Sequence, residues 1–266
     1  MAAGPLLGGL LGSVSWRAPF AGTAVLMGIG FIAITVLLRK TPPAQPVSVG
    51  AAFAALSHPA LRTLAITAVF YNFALFTLLA YSPFPLEAAA ASAGHEFGAL
   101  QIGGVFFGWG LGLAITSVFV APVLTRRLGL LATVITTLGL LTGVMVLMGL
   151  LHGSVVGLVT LIIVGGLLLG IMNTALTETV MEATDLPRAV ASSAYSGVRF
   201  LGGAIAPAVA GPLAAAFGPS VPYEVAAGAL ILGLGALLLG RKHVIATAAP
   251  HSVQDEGEDV ILGDES

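Results

Sequence analysis

The stretch that decides the fold occupies residues 195–212 and reads YSGVRFLGGAIAPAVAGP. Arg199 is its only charged residue, and the surrounding run of apolar and small residues covers about 189–217. A run of that length can cross a bilayer as a helix. A charge inside it costs about 2.5 to 3.5 kcal/mol on insertion scales, so it persists where it faces a bundle interior or a watery cavity. We predict a membrane-spanning helix that carries a buried cation.

Small residues and prolines follow this arginine. Gly202 and Gly203 remove two side chains, which lets a neighbouring helix approach closely. Pro207 and Pro212 lack a backbone donor and interrupt the helical hydrogen-bond ladder. We expect a bent, closely packed helix of a transport protein.

The composition places the whole chain in the membrane class. Hydrophobic residues make up 57% of the 266 positions and charged residues 8%, whereas an ordinary soluble domain has about 25% charged residues. The apolar runs are continuous over about 20 residues, which fits helices rather than the alternating strands of a barrel. The chain has no cysteine, which excludes disulfides and thiol nucleophiles. We predict an all-α, polytopic membrane helix bundle.

Seven apolar runs long enough to cross a membrane follow one another, at residues 19–38, 61–82, 99–124, 128–151, 154–176, 189–217 and 221–240. Residues 2–14 are also apolar but too short for a full span, so we expect that a part of this helix is missing upstream. A Pro-rich segment at 41–59 is typical of a loop between two bundles.

Connections between successive spans alternate between the two sides of the membrane, which assigns each Lys and Arg to a side. One side receives eight of these residues, and the other receives Arg17. Because Lys and Arg concentrate in cytoplasmic loops, we predict an inner (plasma) membrane protein with a cytoplasmic C-terminus. The eight residues are Arg39, Lys40, Arg62, Arg126, Arg127, Arg188, Arg241 and Lys242.

The beginning of the chain repeats at its end with an offset of 202 positions. An apolar span precedes a basic pair in both copies, after a short hairpin. The superposed positions are Pro5 with Pro207, Gly9 with Gly211, and Arg39-Lys40 with Arg241-Lys242. Parallel repeats about an axis along the membrane normal relate the two six-helix halves of major facilitator transporters.

The chain resembles the major facilitator superfamily, particularly its twelve-helix drug:proton antiporter branch. Four segments carry the resemblance, and they are similar to the end of the antiporter motif in the fifth helix, the hairpin between the fifth and sixth helices, the second copy of the cytoplasmic basic loop, and the eleventh helix. These are Gly4-Pro5-Leu6-Leu7-Gly8-Gly9, Ser15-Trp16-Arg17 with Pro19-Phe20, Arg126-Arg127-Leu128-Gly129, and Arg199-Phe200-Leu201-Gly202-Gly203 with Pro207.

The resemblance implies four parts of the chain. Residues 1–38 correspond to a remnant of the N-terminal bundle, 39–60 to the cytoplasmic central loop, 61–242 to the C-terminal six-helix bundle, and 243–266 to a disordered acidic tail. Helices one to four have no counterpart. We therefore expect an N-terminally truncated chain, for which a missing N-terminal half is a candidate partner.

Several polar residues inside the spans are candidates for substrate binding or coupling near the midplane, where this family handles substrates. Arg199 is either a partner for an acidic group or an anionic substrate, or it forms a structural salt bridge or extends its side chain to the cytoplasmic face. Asn72, with Tyr71 and Phe73, either lines a cavity or joins two helices. Gln101 and Asn173 carry the same alternatives.

Two further groups are candidates for gating and for helix packing. Glu178 and Glu182 are spaced four residues apart on one helical face. They form either a proton relay or a cytoplasmic ion pair with a basic residue of the set Arg126, Arg127 and Arg188. The candidate packing and flexing residues are Gly4, Pro5, Gly8, Gly9, Gly202, Gly203 and Pro207.

The resemblance implies proton-coupled efflux of drugs or small amphipathic metabolites by alternating access. The alternatives are uptake of a sugar or metabolite by the same fold, and a non-transporting membrane subunit or gene fragment. The expected partners are the lipid bilayer, a small-molecule substrate and protons, with no nucleic acid. We expect no enzyme activity, no cofactor and no metal site.

Overall fold

The computed structural model describes residues 3–38, 49–184 and 186–248, and every regular element among them is helical. The helices are α1 Ala3–Val14, α2 Ala18–Leu37, α3 Val49–Ala55, α4 Pro59–Tyr81, α5 Pro83–Ser92, α6 Ala99–Ile115, α7 Ala121–Leu128, α8 Leu130–Leu150, α9 Val155–Glu182, α10 Arg188–Phe217 and α11 Val221–Ala248. A π-helical segment, Thr116–Val120, joins α6 to α7 into one continuous span.

Seven spans of the described residues are long and apolar enough to cross a membrane, which confirms the all-α bundle. They begin within two residues of the predicted positions, but three of them end later than expected. The span that starts at Ala99 continues to Leu128, α9 continues to Glu182, and α11 continues to Ala248. Helices in membrane proteins extend beyond the apolar core, so hydropathy underestimates their length.

Local sequence signals set the ends of several helices. Pro59 and Pro187 stand at helix starts, where a missing backbone donor has no cost. The Ser154 hydroxyl accepts a hydrogen bond from the Gly157 amide at 3.2 Å and caps α9. Gly129 lies between α7 and α8 with φ of 84°, a conformation that favours glycine.

Two connections between spans contain helices. The central loop expected at 39–60 holds α3, which packs against α10, and the connection at 83–98 holds α5. Pro83 stands at the first position of α5, where a missing backbone donor has no cost, so a helix begins at this proline. Positions 39–48, with Arg39 and Lys40, and the acidic tail beyond Ala248 lie outside the described residues.

The prolines of α10 do not divide it, although the sequence predicted interruption. Arg188–Phe217 is one helix of 30 residues that passes through Pro207 and Pro212. A proline inside a membrane helix removes one backbone hydrogen bond, and neighbouring helices tolerate the change.

Helix α4 is the centre of the C-terminal bundle, because twelve of its 23 residues are buried. Helices α10 and α11 pack along it. Glycines make this approach possible. A Cβ atom at Gly202 would collide with the Val69 carbonyl oxygen, and one at Gly203 would lie 2.7 Å from the Phe76 ring. The predicted role of Gly202 and Gly203 in close packing agrees with these contacts.

Helix α9 packs against α6 through glycines four residues apart. A Cβ atom at Gly166 would collide with the Trp109 carbonyl oxygen, and one at Gly170 would collide with the Thr116 hydroxyl. The backbones of the two helices are therefore in near contact, as in small-xxx-small interfaces of membrane proteins. Trp109 is buried in this interface.

Helices α1 and α2 form a hairpin in which α1 packs against α6 of the bundle. A Cβ atom at Gly9 would lie 2.6 Å from the Ala99 carbonyl oxygen, and one at Gly103 would lie 2.8 Å from the Pro5 carbonyl oxygen. Helix α2 has no buried residue.

The internal repeat also matches the helix bounds. Helix α1 ends at Val14 and α2 begins at Ala18, and the offset of 202 moves these positions to 216 and 220. Helix α10 ends at Phe217 and α11 begins at Val221, so each position is one residue from the observed bound.

The two ends of the bundle differ in chemistry. At one end the Tyr81 hydroxyl donates to the Pro219 carbonyl oxygen at 2.9 Å, and the Tyr223 hydroxyl donates to the Ser82 hydroxyl at 3.0 Å. At the other end, Arg126 and Arg241 line one cavity. The structure therefore places these two arginines at the same end of the bundle, as the alternation of connections requires.

Candidate functional site

Arg199 lies eleven residues into α10, about 16 Å from the start of the helix at 1.5 Å per residue. Its Nη1 atom donates to the Asn173 Oδ1 atom of α9 at 3.4 Å. Its guanidinium carbon lies 5.4 Å from the centroid of the Tyr195 ring and 5.0 Å from that of Phe200. Cation–π contacts of this kind contribute about 0.5 to 2 kcal/mol, so they offset a part of the cost of the buried charge.

Two tyrosine hydroxyls stand beside the guanidinium. Tyr195 precedes Arg199 by one helical turn, and Tyr71 of α4 lies near enough to interact electrostatically with both. Tyr71 is 1% exposed and Tyr195 is 2% exposed. The Tyr71 hydroxyl and the Arg199 Nε atom have no hydrogen-bond partner, whereas the Tyr195 hydroxyl lies within hydrogen-bonding reach of Arg199 and Thr177. Two buried donors from two helices are therefore left unsatisfied at one place.

We call the set Tyr71, Asn173, Tyr195 and Arg199 the arginine cluster. It joins α4, α9 and α10. Within the described part of the chain, no carboxylate lies within 4.0 Å of the guanidinium. The cluster thus combines one full positive charge with several donors, and the neutral oxygens of Asn173 and Tyr195 contact the guanidinium.

The three residues Tyr71, Asn72 and Phe73 do not share one cavity, although the sequence analysis grouped them. Successive residues on a helix point 100° apart, so neighbours in sequence face different surroundings. Tyr71 joins the arginine cluster, and Phe73 lines an apolar groove with Gly202. Asn72 is 1% exposed, and its amide donates to the Ala68 carbonyl oxygen of its own helix at 3.1 Å.

Gln101 lies far from the arginine cluster, at the N-terminus of α6. Its side-chain oxygen accepts a hydrogen bond from the Gly98 amide at 3.0 Å. The residue is exposed, and it satisfies one of the free donors at the start of the helix. The geometry assigns Gln101 a capping contact at the bundle end.

The π-helical segment adds polar contacts next to the cluster. The Thr116 hydroxyl donates to the Leu167 carbonyl oxygen at 2.7 Å, and the Ser117 and Thr174 hydroxyls are 2.7 Å apart. Thr174 follows Asn173 directly in α9. Single-turn π-helices in membrane helices frequently mark functional sites. Here the segment ties α6 to the part of α9 that contacts Arg199.

The second candidate group lines an open cavity of about 830 Å³ at the basic end of the bundle. Glu178 and Glu182 of α9 face the same space as Arg126 and Arg241. Arg127 and Arg188 are exposed. Among the described residues, no ion pair of 4.0 Å or less joins these two glutamates to Arg126, Arg127 or Arg188.

The candidate packing residues fall into two classes. Gly9, Gly202 and Gly203 lie against neighbouring helices, as described above. Gly4 and Gly8 have open space where a side chain would project. Gly9, at the end of the segment similar to the antiporter motif, therefore lies at a contact between α1 and α6.

Sequence reasoning missed Tyr195, Ser117 and Thr174. The spacing of four between Tyr195 and Arg199 is a signal that places both on one helical face. The two hydroxyl residues gave no such signal, because Ser and Thr inside helices commonly bond to their own backbone.

Comparison with known proteins agrees with the fold. The sequence model of the family described as Major Facilitator Superfamily matches residues 1–207. Multidrug efflux protein YfmO of Bacillus subtilis (strain 168) is 46% identical over 249 residues, which cover 93% of this chain and 61% of that protein. The class G tetracycline resistance protein of Vibrio anguillarum is 31% identical over 134 residues, which cover 48% of this chain and 34% of that protein.

The alignment thus spans about three fifths of the length of the Bacillus relative. The family match covers α1 to the middle of α10 and includes Arg199. Together with seven apolar helices, it identifies a multi-pass protein of the lipid bilayer. The chain belongs to the major facilitator superfamily.

Proposed function

We propose that this chain acts in proton-coupled efflux of small amphipathic molecules, by alternating access, as a part of a complete twelve-helix transporter. The observation that carries the proposal is the arginine cluster. A partly exposed guanidinium with an unpaired Nε atom, and a buried, unpaired Tyr71 hydroxyl, cost free energy inside apolar helices that folding does not recover. Such groups are typical of a site that binds a ligand.

The names of the relatives support the direction of transport. The Bacillus relative is named a multidrug efflux protein, and the Vibrio relative a tetracycline resistance protein. The segment at Gly4 to Gly9, similar to the antiporter motif, favours efflux over uptake. Membership in a family of transporters speaks against an enzyme.

Further helices complete the transporter in this proposal. All side chains described in α2 are at least partly exposed, and most of its large apolar residues are more than half exposed. Helix α1 already packs across the bundle on α6 through Gly9 and Gly103. An N-terminal half would cover α2 and leave the arginine cluster near the interface between halves, where this family binds substrates.

We also propose the sidedness and the gate. The basic end of the bundle, with Arg126 and Arg241, faces the cytoplasm of a plasma-membrane protein. Glu178 and Glu182 form ion pairs there in one of the two states of the transport cycle. In the present conformation they face the open cavity without such a pair, which fits a gate in its open state.

The domain boundaries remain part of this proposal. Residues 1–38 form the end of the N-terminal bundle, and 61–242 form the C-terminal bundle. Helix α11 extends the latter to Ala248, six residues beyond the boundary at Lys242. The two alternatives are uptake of a metabolite and a subunit without transport activity of its own.

The experiment joins the N-terminal helices of the Bacillus relative to Met1 and expresses the fusion in cells that lack their own efflux pumps. Everted membrane vesicles are energised to acidify their interior, and accumulation of a panel of amphipathic dyes is followed by fluorescence. The proposal expects accumulation that a protonophore abolishes. Accumulation that ignores the protonophore would contradict proton coupling, and accumulation of no dye by a well-folded fusion would favour the subunit alternative.

A further inference from the structure

The arginine cluster has a chemical bias that narrows the class of ligand. Its charged member offers donors only. The Arg199 guanidinium carries five N–H groups and no acceptor, and its Nε atom and the Tyr71 hydroxyl have no partner. The guanidinium contacts two neutral oxygens, Asn173 Oδ1 at 3.4 Å from Nη1 and the Tyr195 hydroxyl. A ligand that satisfies these donors must supply acceptors.

The charge of the cluster is also uncompensated by the described residues. The carboxylates of α9, Glu178 and Glu182, face the cavity at the basic end of the bundle. No carboxylate of the described chain lies within 4.0 Å of Arg199. A planar guanidinium matches the two oxygens of a carboxylate or sulfonate, and hydrogen bonds between such groups are shorter and stronger than neutral ones.

Aromatic surface surrounds the same guanidinium. Phe200 is 50% exposed, and its ring lies 6.3 Å from that of Phe76 in an edge-to-face arrangement. Tyr195 and Phe200 both lie within 5.4 Å of the guanidinium carbon. A flat apolar ring next to an anionic group would therefore contact both parts of the site.

We propose that the arginine cluster binds amphipathic organic anions, in which a carboxylate or sulfonate is attached to an aromatic ring system, and that it disfavours amphipathic cations. This inference rests on the proposed function, because it names the substrate class of the same site. An amphipathic cation would place like charge against Arg199.

The test compares two dyes that share a xanthene ring system and differ in charge. Fluorescein is an anion at neutral pH, and tetramethylrhodamine methyl ester is a cation. The complete 266-residue chain is placed in nanodiscs of uncharged phosphatidylcholine. Binding of each dye is titrated by fluorescence anisotropy, with empty nanodiscs subtracted. We expect fluorescein to bind at least about tenfold more tightly than the rhodamine, a factor that corresponds to one charged hydrogen bond.

Variants connect the binding to the cluster. Arg199→Gln is expected to weaken fluorescein binding by about tenfold or more and to leave rhodamine binding unchanged or improved. Tyr195→Phe and Tyr71→Phe each remove one donor and are expected to weaken fluorescein binding by about threefold to tenfold. Arg199→Lys keeps the charge but not the planar fork, so its affinity should lie between those of the parent and Arg199→Gln.

Two matched controls test for indirect effects. Tyr223→Phe removes a buried hydroxyl that bonds to Ser82 at the end of the bundle remote from Arg126 and Arg241, and Arg62→Gln removes an exposed arginine. Both should leave fluorescein binding within about twofold, well below the tenfold factor of one charged hydrogen bond. Gel filtration and circular dichroism of every variant show whether it is folded.

Three results would overturn the inference. The first is rhodamine binding as tight as that of fluorescein, the second is unchanged fluorescein affinity in folded Arg199→Gln, and the third is an equal loss in the controls. The proposed transport function and the proposed ligand class can be refuted independently. Arg199-dependent fluorescein binding without vesicle transport would refute the proposed function alone, and transport of cations without fluorescein binding would refute this inference alone.

Discussion

The guanidinium of Arg199 donates to the amide oxygen of Asn173 over 3.4 Å, so the single intramembrane arginine of α10 meets a neutral partner on α9. A neutral partner orients the guanidinium but does not cancel its charge. The positive charge therefore stays available to a ligand, in contrast to the structural salt bridge that the sequence left open as an alternative.

Asn173→Asp should convert this contact into an ion pair and occupy the site from within. Because the new carboxylate would satisfy the guanidinium, we expect fluorescein binding to fall by about tenfold or more, with unfolding temperature unchanged or raised. Dye titration and thermal unfolding in nanodiscs measure both effects. Asn173→Ala serves as the control, since it removes the acceptor without adding charge and should change affinity by less than about threefold. Full dye affinity in Asn173→Asp would show that Arg199 is not the anion contact.

Gly202→Ala should destabilise the bundle at the contact between α10 and α4. The added Cβ atom would collide with the Val69 carbonyl oxygen, and backbone cannot move aside as a flexible side chain can. We expect a loss of about 1 to 3 kcal/mol, visible as a lower unfolding temperature in detergent. Gly211→Ala in the same helix meets nothing within 4 Å and should be neutral or slightly stabilising. Equal behaviour of the two variants would refute the packing described for α10.

Thr116→Val should loosen the π-helical segment from α9. The substitution keeps the shape of the side chain and removes the hydrogen bond from its hydroxyl to the Leu167 carbonyl oxygen at 2.7 Å. Interhelical hydrogen bonds in membrane proteins contribute about 0.6 to 1.7 kcal/mol, and we expect a loss in that range by equilibrium unfolding. Thr142→Val is the matched control, because the Thr142 hydroxyl bonds to Leu138 of its own helix. A larger loss in the control than in Thr116→Val would contradict the assignment.

Gly9→Ala should disturb the contact between α1 and α6. The new Cβ atom would lie 2.6 Å from the Ala99 carbonyl oxygen, whereas one at Gly8 meets nothing within 4 Å. In the fusion with the N-terminal helices of the Bacillus relative, we expect Gly9→Ala to lower dye accumulation at least threefold and Gly8→Ala to preserve it, because overpacking of 1 kcal/mol or more shifts an equilibrium about fivefold. Unchanged accumulation in Gly9→Ala would show that this contact does not join the two halves.

The absence of cysteine allows the sidedness to be measured directly. Arg127→Cys and Glu96→Cys introduce exposed thiols at opposite ends of the span that begins at Ala99. In intact cells, a membrane-impermeant maleimide should label Glu96→Cys alone, and it should label Arg127→Cys once the membrane is opened. The reverse pattern would invert the proposed orientation, in which Lys and Arg concentrate on the cytoplasmic side.

The spans and the intramembrane arginine could be predicted from the sequence, because apolar runs and a lone charge are strong local signals. The junction of α1 and α2 also followed from the repeat with α10 and α11. The continuation of α9 and α11 and the presence of α5 could not be predicted, since polar or proline-containing ends of membrane helices look like loops. The interruption predicted at Pro207 and Pro212 does not divide α10, because a membrane helix tolerates the loss of one backbone hydrogen bond.

The site was only half predictable. Arg199, Asn173 and Tyr71 were all recognised as intramembrane polar residues, but they come together from three helices that are distant in sequence. No periodicity within one helix reveals which faces of α4, α9 and α10 meet. Tyr195 could have been predicted from the sequence, because it lies one helical turn before Arg199 and on the same face. The hydrogen bond between Ser117 and Thr174 depends on a π-helical turn that no sequence pattern predicted.

The most direct test of the central claim is fluorescein accumulation in everted vesicles that carry the completed transporter, compared between the parent and Arg199→Gln. The account predicts accumulation that depends on the pH gradient, is abolished by a protonophore, and is at least about tenfold slower in the variant. Equal, gradient-driven accumulation in parent and variant would contradict the role of the arginine cluster as the substrate site. Absence of gradient-dependent transport of every dye tested would contradict the proposed function itself.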